Sequence, residues 1–201
     1  MTRLAAAAAA ILILFAADAA AQHLTGPKPG AVVPAPVALD TTGMFLARFA
    51  RVGDDVFIAG QPTERALREL KEQGVTTVVN LRTPEEMTRS VPFDEAALVR
   101  SLGMTYVYIP MRGTAEYPYS PAAVATFAEA MRNTTGKLLL HCTVAWRASH
   151  LWGAYLIKER GVPIDSALAN ARAINLSDER PPIEQFLDQS LPTFGRPPRG
   201  P

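Results

Sequence analysis

The sequence predicts an α/β domain in which helices flank a central, mostly parallel sheet. Short runs of β-branched and apolar residues alternate with segments of helical spacing, and this alternation is typical of parallel sheets. Turn residues separate the segments: Thr63 precedes one predicted helix as its N-cap, and Gly74 follows it. Because sites in such sheets form at the carboxyl ends of strands, residues that directly follow a strand are the first candidates for function.

The predicted elements follow one another along most of the chain. Strands are expected at residues 56–58, 76–80, 104–109 and 137–141. Helices are expected at residues 64–73, 94–102, 148–159 and 164–173. A further helix is expected to begin at Pro121, with Ser120 as its N-cap.

The N-terminal residues have the pattern of an export signal. Arg3 supplies a positive charge, residues 4–15 are apolar, and small residues up to Ala21 offer a cleavage site before Gln22. The apolar run is short for a membrane anchor. We therefore expect a signal peptide at residues 1–21, no stable membrane insertion after its cleavage, and a periplasmic or secreted location.

Proline-rich segments indicate where the domain begins and ends. Residues 22–42 are rich in proline and small residues, without helical or strand periodicity, and are predicted to be an extended linker. The domain itself is expected at residues 43–190. Residues 191–201 again contain several prolines and are predicted to be a flexible tail.

The composition restricts the possible partners and cofactors. The 201 residues carry a formal net charge of +1, so no nucleic-acid partner is predicted. Three scattered histidines and one cysteine do not make a metal site, and no metal or cofactor is predicted. Because Cys142 is the only cysteine, it forms no internal disulfide, and its surroundings decide whether it is inert or reactive.

Residues 141–147 read His-Cys-Thr-Val-Ala-Trp-Arg and lie between a predicted strand and a predicted helix. The backbone N–H groups of such a loop and the helix N-terminus favour a bound anion. Arg147 can bind two oxygens of that anion, and the same positive field favours the thiolate of Cys142, which can attack a phosphoryl group. Cys142 and Arg147 are therefore predicted to be catalytic; a buried cysteine near a solvated arginine is the structural alternative. The other loop residues are predicted to bind the substrate: His141, Thr143, Val144, Ala145 and Trp146.

The loop resembles the signature of the cysteine phosphatase superfamily, in which His-Cys is followed by five residues, Arg, and Ser or Thr. Only four residues separate Cys142 from Arg147, and this shorter loop is similar to that of the bacterial beta-lactamase-hydrolase-like family. Further similar segments lie at residues 59–62, 80–82, 108–110 and 151–156, within roughly residues 45–175. The resemblance implies a dual-specificity-phosphatase-like fold. It also implies hydrolysis of phosphomonoesters, including phosphotyrosine, through a cysteinyl-phosphate, with a phosphorylated protein or a small phosphoester as substrate.

Three loop positions differ from the family pattern. The family usually has Gly where this chain has Ala145, so a strained or differently shaped backbone is expected. It usually has Ser or Thr directly after the arginine, to assist the thiolate, where this chain has Ala148; Ser149 is the candidate substitute. Trp146 either walls the pocket or packs against the domain, and packing is favoured.

Phosphatases of this kind need a general acid for the leaving oxygen, typically an Asp on the loop before the nucleophile's strand. The corresponding loop, residues 110–119, contains no Asp. Its only carboxylate, Glu116, is the predicted acid, with a solvated loop charge as the alternative. Arg112 is predicted to help hold an anionic substrate, and Tyr117 and Tyr119 to line a pocket for an aromatic phosphate.

Two further polar residues follow or end strands. His141 is expected to orient the loop through hydrogen bonds rather than to transfer protons. Arg82 faces the same end of the predicted sheet and is a candidate second anion contact, with a surface salt bridge as the alternative.

Two other functions fit the same residues. Rhodanese-like sulfurtransferases also place a cysteine and an arginine around a loop of this shorter length, although residues 61–62 and 80–82 favour the phosphatase-like family. The third possibility is a catalytically weak domain that binds a phosphorylated or sulfated ligand without turnover. Ala145, Ala148 and the missing Asp motivate it.

Overall fold

Six strands form one sheet in the computed structural model, which describes residues 32–177 and 181–191. The strands are β1 (Val37–Ala38), β2 (Phe49–Val52), β3 (Val56–Ala59), β4 (Val75–Asn80), β5 (Thr105–Tyr108) and β6 (Lys137–His141). Their order across the sheet is β1-β2-β3-β6-β4-β5. The last four in this order are parallel, and β1 and β2 add an antiparallel edge. The predicted central, mostly parallel sheet is confirmed.

The helices follow the predicted caps. They are α1 (Glu64–Glu72), α2 (Pro84–Ser90), α3 (Glu95–Ser101), α4 (Pro121–Asn133), α5 (Trp146–Lys158), α6 (Ile164–Arg172) and α7 (Pro181–Leu187). The Thr63 hydroxyl accepts the N–H of Ala66 at the start of α1, and Ser120 accepts that of Ala123 at the start of α4. Each cap satisfies a backbone donor that the first helical turn leaves free.

The central strands β3, β4 and β6 are buried on both faces of the sheet, which explains their nearly continuous apolar residues. On one face β3 directs Ile58 into a cluster that includes Phe127 and Phe186. On the other face Phe57 belongs to a second cluster, with Leu67 of α1. Because helices cover both faces, the ends of the strands remain for a site.

The N-terminal edge of the sheet lies within the segment predicted to be a linker. Val37 and Ala38 pair with Arg51 and Ala50 of β2. The carbonyl oxygen of Pro34 also accepts a hydrogen bond from the Asn170 side chain at 2.8 Å. The described part of this segment, residues 32–42, thus contributes to the sheet. A two-residue strand with both side chains exposed has no sequence period that would reveal it.

Further elements were absent from the prediction. β2, α2 and α7 are short, and α2 buries none of its side chains, so it lacks an amphipathic pattern. Leu191, predicted to begin the tail, is buried and donates its N–H to Glu184. The predicted signal peptide, residues 22–31 of the predicted linker and residues 192–201 of the predicted tail lie outside the described residues. Within residues 32–177 and 181–191, no helix has both the length and the apolar character needed to cross a membrane.

Candidate active site

The loop at residues 141–147 follows β6, which lies between β3 and β4 in the middle of the parallel strands. Cys142 is buried, with 1% of its surface exposed, and its N–H contacts the carbonyl oxygen of Ala59 at 3.4 Å. Helix α5 begins at Trp146, two residues before its predicted start, so Arg147 lies in its first turn. The sheet therefore brings Cys142 and Arg147 to the edge where the sequence predicted a site.

The backbone of the loop has the geometry of an anion-binding nest. Ala145 is left-handed, with φ 67° and ψ −1°, and the helical Trp146 follows it. Adjacent left- and right-handed residues turn successive N–H groups toward one side, where they can bind an anion. The expected strain is present, because a left-handed conformation costs an alanine about 1–2 kcal/mol.

Three consecutive carbonyl groups of the loop have fixed partners. Thr143 accepts from the N–H of Gln61 at 3.0 Å, and Val144 accepts from the Asn175 side chain at 2.7 Å. Ala145 accepts from both the N–H and the hydroxyl of Ser149, at 2.9 and 2.7 Å. Since C=O and N–H of a trans peptide point in opposite directions, these bonds also fix where the next N–H groups point.

Ser149 does not stand in for the missing hydroxyl after Arg147. Its side chain is fully buried and donates back to the carbonyl of Ala145, one helical turn earlier. This is a local bond of a helical serine. Its predicted contact with the substrate or thiolate is therefore corrected to a structural role in the first turn of α5.

Arg147 is held by protein groups on both terminal nitrogens. Nη1 donates to an oxygen of Glu86 at 2.8 Å and to the carbonyl of Met111 at 2.7 Å, with that of Leu81 at 3.3 Å. Nη2 donates to the other Glu86 oxygen at 2.8 Å and to the Thr143 hydroxyl at 2.9 Å. Nε takes part in none of these bonds. Arg147 thus joins the loop to α2 through a bidentate ion pair, and to the segments after β4 and β5 through the two carbonyl groups.

Glu86 is the carboxylate that sequence reasoning missed. Burial by itself raises its pKa, but hydrogen bonds from Arg147 and the backbone of Thr83 outweigh this and lower the pKa to about 2. On Arg147, burial lowers the pKa, and the bond to Glu86 and the nearby Cys142 outweigh it and raise the pKa. The sequence signal that could have drawn attention to Glu86 is a capping box, in which Thr83 is followed three residues later by Glu86. The structure contains this capping box at the start of α2.

His141 contacts a buried carboxylate rather than the loop. Its Nε2 lies 3.0 Å from an oxygen of Glu95, and both side chains are fully buried. Glu95 also accepts from the Gln61 side chain at 2.6 Å and from the Tyr106 hydroxyl at 3.2 Å. Burial raises the pKa of Glu95, but the charge and hydrogen bond of His141 outweigh it and lower the pKa. His141 therefore anchors the start of the loop to α3, which is a positioning role.

Arg82 is inside the molecule, not in a surface salt bridge. Only 3% of it is exposed, and it donates to the Gln61 side chain at 2.7 Å and to the carbonyl of Glu86 at 3.1 Å. Its Nε is buried without a hydrogen-bond partner among the described residues. Burial lowers the pKa of Arg82, because it disfavours the charged guanidinium.

In the loop at residues 110–119, Glu116 and Arg112 are exposed, whereas Tyr119 packs at the start of α5 and interacts electrostatically with Arg147. Glu116 is exposed, and the contact that the structure gives it is with Tyr117, whose pKa it raises by hydrogen bonding. Arg112 is exposed as well, and its backbone N–H bonds the Tyr117 carbonyl at 2.7 Å. Tyr119 packs against Trp146 and Phe186.

Trp146 packs against the domain, as favoured from the sequence. Its indole N–H donates to Ser177 at 2.9 Å, and its ring centroid lies 4.0 Å from that of His150. Val144, at the loop tip, is 36% exposed. Among residues 32–177 and 181–191, no three side chains of the metal-ligating types form a cluster that could hold a metal ion.

Similar solved structures define the class of fold. A DUF442 phosphatase-type protein of Shewanella putrefaciens CN-32 is 27% identical, with a TM-score of 0.56 over 74% of this chain and 92% of that one. PTPMT1 shares the fold at 16% identity, with a TM-score of 0.58 over 70% of this chain and 92% of that one. The fold is that of the tyrosine and dual-specificity phosphatases, as the sequence predicted.

The family follows from the sequence comparison. The model of the phosphatase-like domain of beta-lactamase hydrolase-like proteins matches residues 48–156, more than half of the chain. A beta-lactamase hydrolase-like protein of Xylella fastidiosa (strain 9a5c) is 28% identical over 106 residues, which are 52% of this chain and 24% of that protein. The chain belongs to this family of phosphatase-like domains, and it matches about a quarter of the length of that curated relative.

Proposed function

We propose that the protein is an exported phosphatase that hydrolyses phosphomonoesters through a cysteinyl-phosphate on Cys142. The observation that carries the proposal is the nest at Ala145, which lies at the N-terminus of α5 and three residues after Cys142. Backbone N–H groups and a helix N-terminus favour a phosphate dianion at that position. Arg147 and Arg82 add two positive charges that interact electrostatically with Cys142.

The proposed reaction has two steps. The Cys142 thiolate attacks phosphorus, the bond between phosphorus and the ester oxygen breaks, and the alcohol leaves with the bonding electron pair. Water then attacks the cysteinyl-phosphate, which releases inorganic phosphate and regenerates the thiolate. The loop N–H groups stabilise the equatorial oxygens in both transition states.

Arg147 combines positioning with binding in this proposal. Its terminal nitrogens are committed to Glu86, Thr143 and two carbonyl groups, which fix the orientation of the guanidinium. Nε is the remaining donor, and it can bind a phosphate oxygen without disturbing the pair with Glu86. The ion pair thus supplies preorganisation rather than competing with the substrate.

The leaving group decides how fast the first step proceeds. Glu86 has a pKa of about 2 and stays ionised near neutral pH, so it cannot donate a proton. Glu116 is exposed and paired with Tyr117. Without a placed general acid, turnover should favour aryl phosphates, because a phenolate leaves with less proton assistance than an alkoxide.

A binding-only domain is the second candidate. Ala148 stands where the family has a hydroxyl, and Ser149 bonds to Ala145 instead of replacing it. These features favour a site that holds a phosphorylated ligand without turnover. The sulfurtransferase alternative lacks comparable support, because the family match covers the loop and the strands around it.

The test is hydrolysis of an aryl phosphate by the wild-type protein and three variants. We expect that Cys142→Ser abolishes hydrolysis, that Arg147→Ala raises KM and lowers kcat, and that Arg132→Ala on the exposed side of α4 has no effect. A phosphoryl group trapped on Cys142 by acid quenching supports the intermediate. Tight binding of phosphate or vanadate without Cys142-dependent hydrolysis favours the binding-only domain, and thiosulfate turnover favours the sulfurtransferase.

Export is proposed from residues 1–21 and is tested separately. Full-length protein expressed in a Gram-negative host should appear in the periplasmic fraction, shortened at or near Ala21. Recovery of the uncleaved chain in the cytoplasm would contradict this part of the proposal.

A further inference from the structure

A cavity of about 730 Å³ adjoins the loop at Thr143. Its walls are mostly apolar: Phe45, Leu46, Pro62, Val91, Pro92 and Phe93. Tyr117 and Tyr119 are not among the lining residues. The apolar surface next to the nucleophile is therefore made by the segment before β2 and by the connection from α2 to α3.

Polar residues also line this cavity: Gln61, Thr63, Glu64, Arg65, Arg82, Ser90 and Thr143. Thr143, directly after Cys142, lines it, and its hydroxyl bonds Arg147. Arg82 lines it too, and its buried Nε has no partner among the described residues. A mostly apolar wall that also carries Thr143 and Arg82 beside the loop is suited to a ligand that is apolar at one end and anionic at the other.

We propose that this cavity is the subsite for the alcohol part of the substrate, and that the substrate is a small phosphomonoester of a bulky apolar alcohol. The inference rests on the proposed function for the position of the phosphate at Cys142. With the phosphate there, the ester oxygen leads past Thr143 and Arg82 to the apolar wall. The bulky group then buries its surface against Leu46 and Phe93.

The size of the cavity favours a group larger than a single ring. Pockets of roughly 300–1,000 Å³ hold ligands of drug size, and this cavity lies in the upper part of that range. Phenyl and methyl esters would leave most of the apolar wall in contact with water. Polycyclic aryl and long alkyl groups share the required chemistry, and both are used as probes below.

The test measures binding of non-hydrolysable phosphonates, so it does not depend on turnover. Affinities for methyl-, phenyl-, 2-naphthyl- and decylphosphonate are measured by titration calorimetry with the wild-type protein. We expect the naphthyl or the decyl compound to bind at least about tenfold more tightly than methylphosphonate, because of the apolar area that it buries. Whichever of the two binds more tightly identifies an aryl or an alkyl group as the preferred occupant.

Leu46→Gln is the variant that probes the wall. Leu46 is 52% exposed and its backbone N–H bonds the carbonyl of Gln61, so a new side chain leaves that bond in place. We expect this variant to lose about fivefold in affinity for the bulky phosphonates and nothing for methylphosphonate. Val37→Gln is the matched control, because Val37 is 50% exposed but lies in β1 and outside the cavity.

The outcomes separate the two proposals. Size-dependent binding that Leu46→Gln weakens supports the subsite even if no phosphate ester is hydrolysed, in which case the proposed function fails alone. Equal affinity for all four phosphonates overturns the subsite even if hydrolysis is observed. Tighter binding of a phosphotyrosine peptide than of every phosphonate, unaffected by Leu46→Gln, would also overturn it.

Discussion

Replacing Glu86 by Gln tests whether the buried ion pair holds Arg147 in place. Glutamine also serves at the third position of a capping box, so the start of α2 should survive. The substitution removes the negative charge and turns one acceptor oxygen into an NH₂ group that cannot accept from Arg147. We expect a less stable protein in which the guanidinium is no longer fixed.

The magnitude follows from the pKa of Glu86. A folded-state pKa of about 2, against an ordinary 4.5, corresponds to at most about 3 kcal/mol of stability. The Glu86 side chain is 17% exposed, so solvent screens part of this energy. We therefore expect Glu86→Gln to lower the free energy of unfolding by about 1–2 kcal/mol at pH 7.

The sign of the pH dependence is defined by the same value. Since the folded-state pKa is depressed, the contribution is fully present above pH 4.5 and is lost as the pH falls toward 2. The assay is urea unfolding at pH 7 and pH 3, where the difference between wild type and variant should be smaller at pH 3.

Glu85→Gln is the matched control for this experiment. Glu85 pairs with Arg89 on the surface of α2, where their side chains are 68% and 71% exposed. Its loss should cost at most about 0.5 kcal/mol. Equal effects of the two substitutions at pH 7, or a Glu86→Gln effect that grows toward pH 3, would refute the reasoning.

Two further predictions concern the backbone of the loop. At Gly60 an added Cβ would lie 1.7 Å from the carbonyl oxygen of Leu46 and 2.9 Å from that of Thr143. Gly60→Ala should therefore lower the free energy of unfolding in urea by about 3 kcal/mol or more. A loss below about 1 kcal/mol would contradict this close contact. Ala145→Gly should change stability by less than about 0.5 kcal/mol, because relief of the left-handed strain offsets the lost methyl group. The control Ala148→Gly, equally buried but regularly helical, should cost about 1.5–2 kcal/mol, and equal losses for the two variants would mean that Ala145 is unstrained.

Local sequence signals predicted the elements that carry strong patterns. The N-caps Thr63 and Ser120 and the buried strand β6 lie where they were expected, because capping and apolar runs depend on neighbours in sequence. Short elements without such local patterns were not predicted. β1 has two residues and α2 has no buried side chain, so neither has a period that can be read from the chain.

The residues of the candidate site also fall into those predicted from local sequence and those that only the fold brings together. Cys142 and Arg147 were predicted from their spacing and their place after a strand, both local properties. The roles of Glu116, Arg112 and Ser149 were assigned by proximity in sequence; in the structure Glu116 and Arg112 are exposed, and Ser149 bonds back to Ala145. Glu86 lies in α2 and Glu95 in α3, and only the folded chain brings these two carboxylates to Arg147 and His141.

By itself, the order of residues determined an α/β sheet, a candidate anion-binding loop after β6, and the presence of a cysteine and an arginine in that loop. These depend on interactions within a few residues, and the chain encodes them directly. Only the tertiary structure decided which carboxylate holds Arg147, which one anchors His141, and where the apolar cavity lies. Glu86 is 61 positions from Arg147 and Glu95 is 46 from His141, and such partners are chosen by strand order and helix packing, not by local pattern.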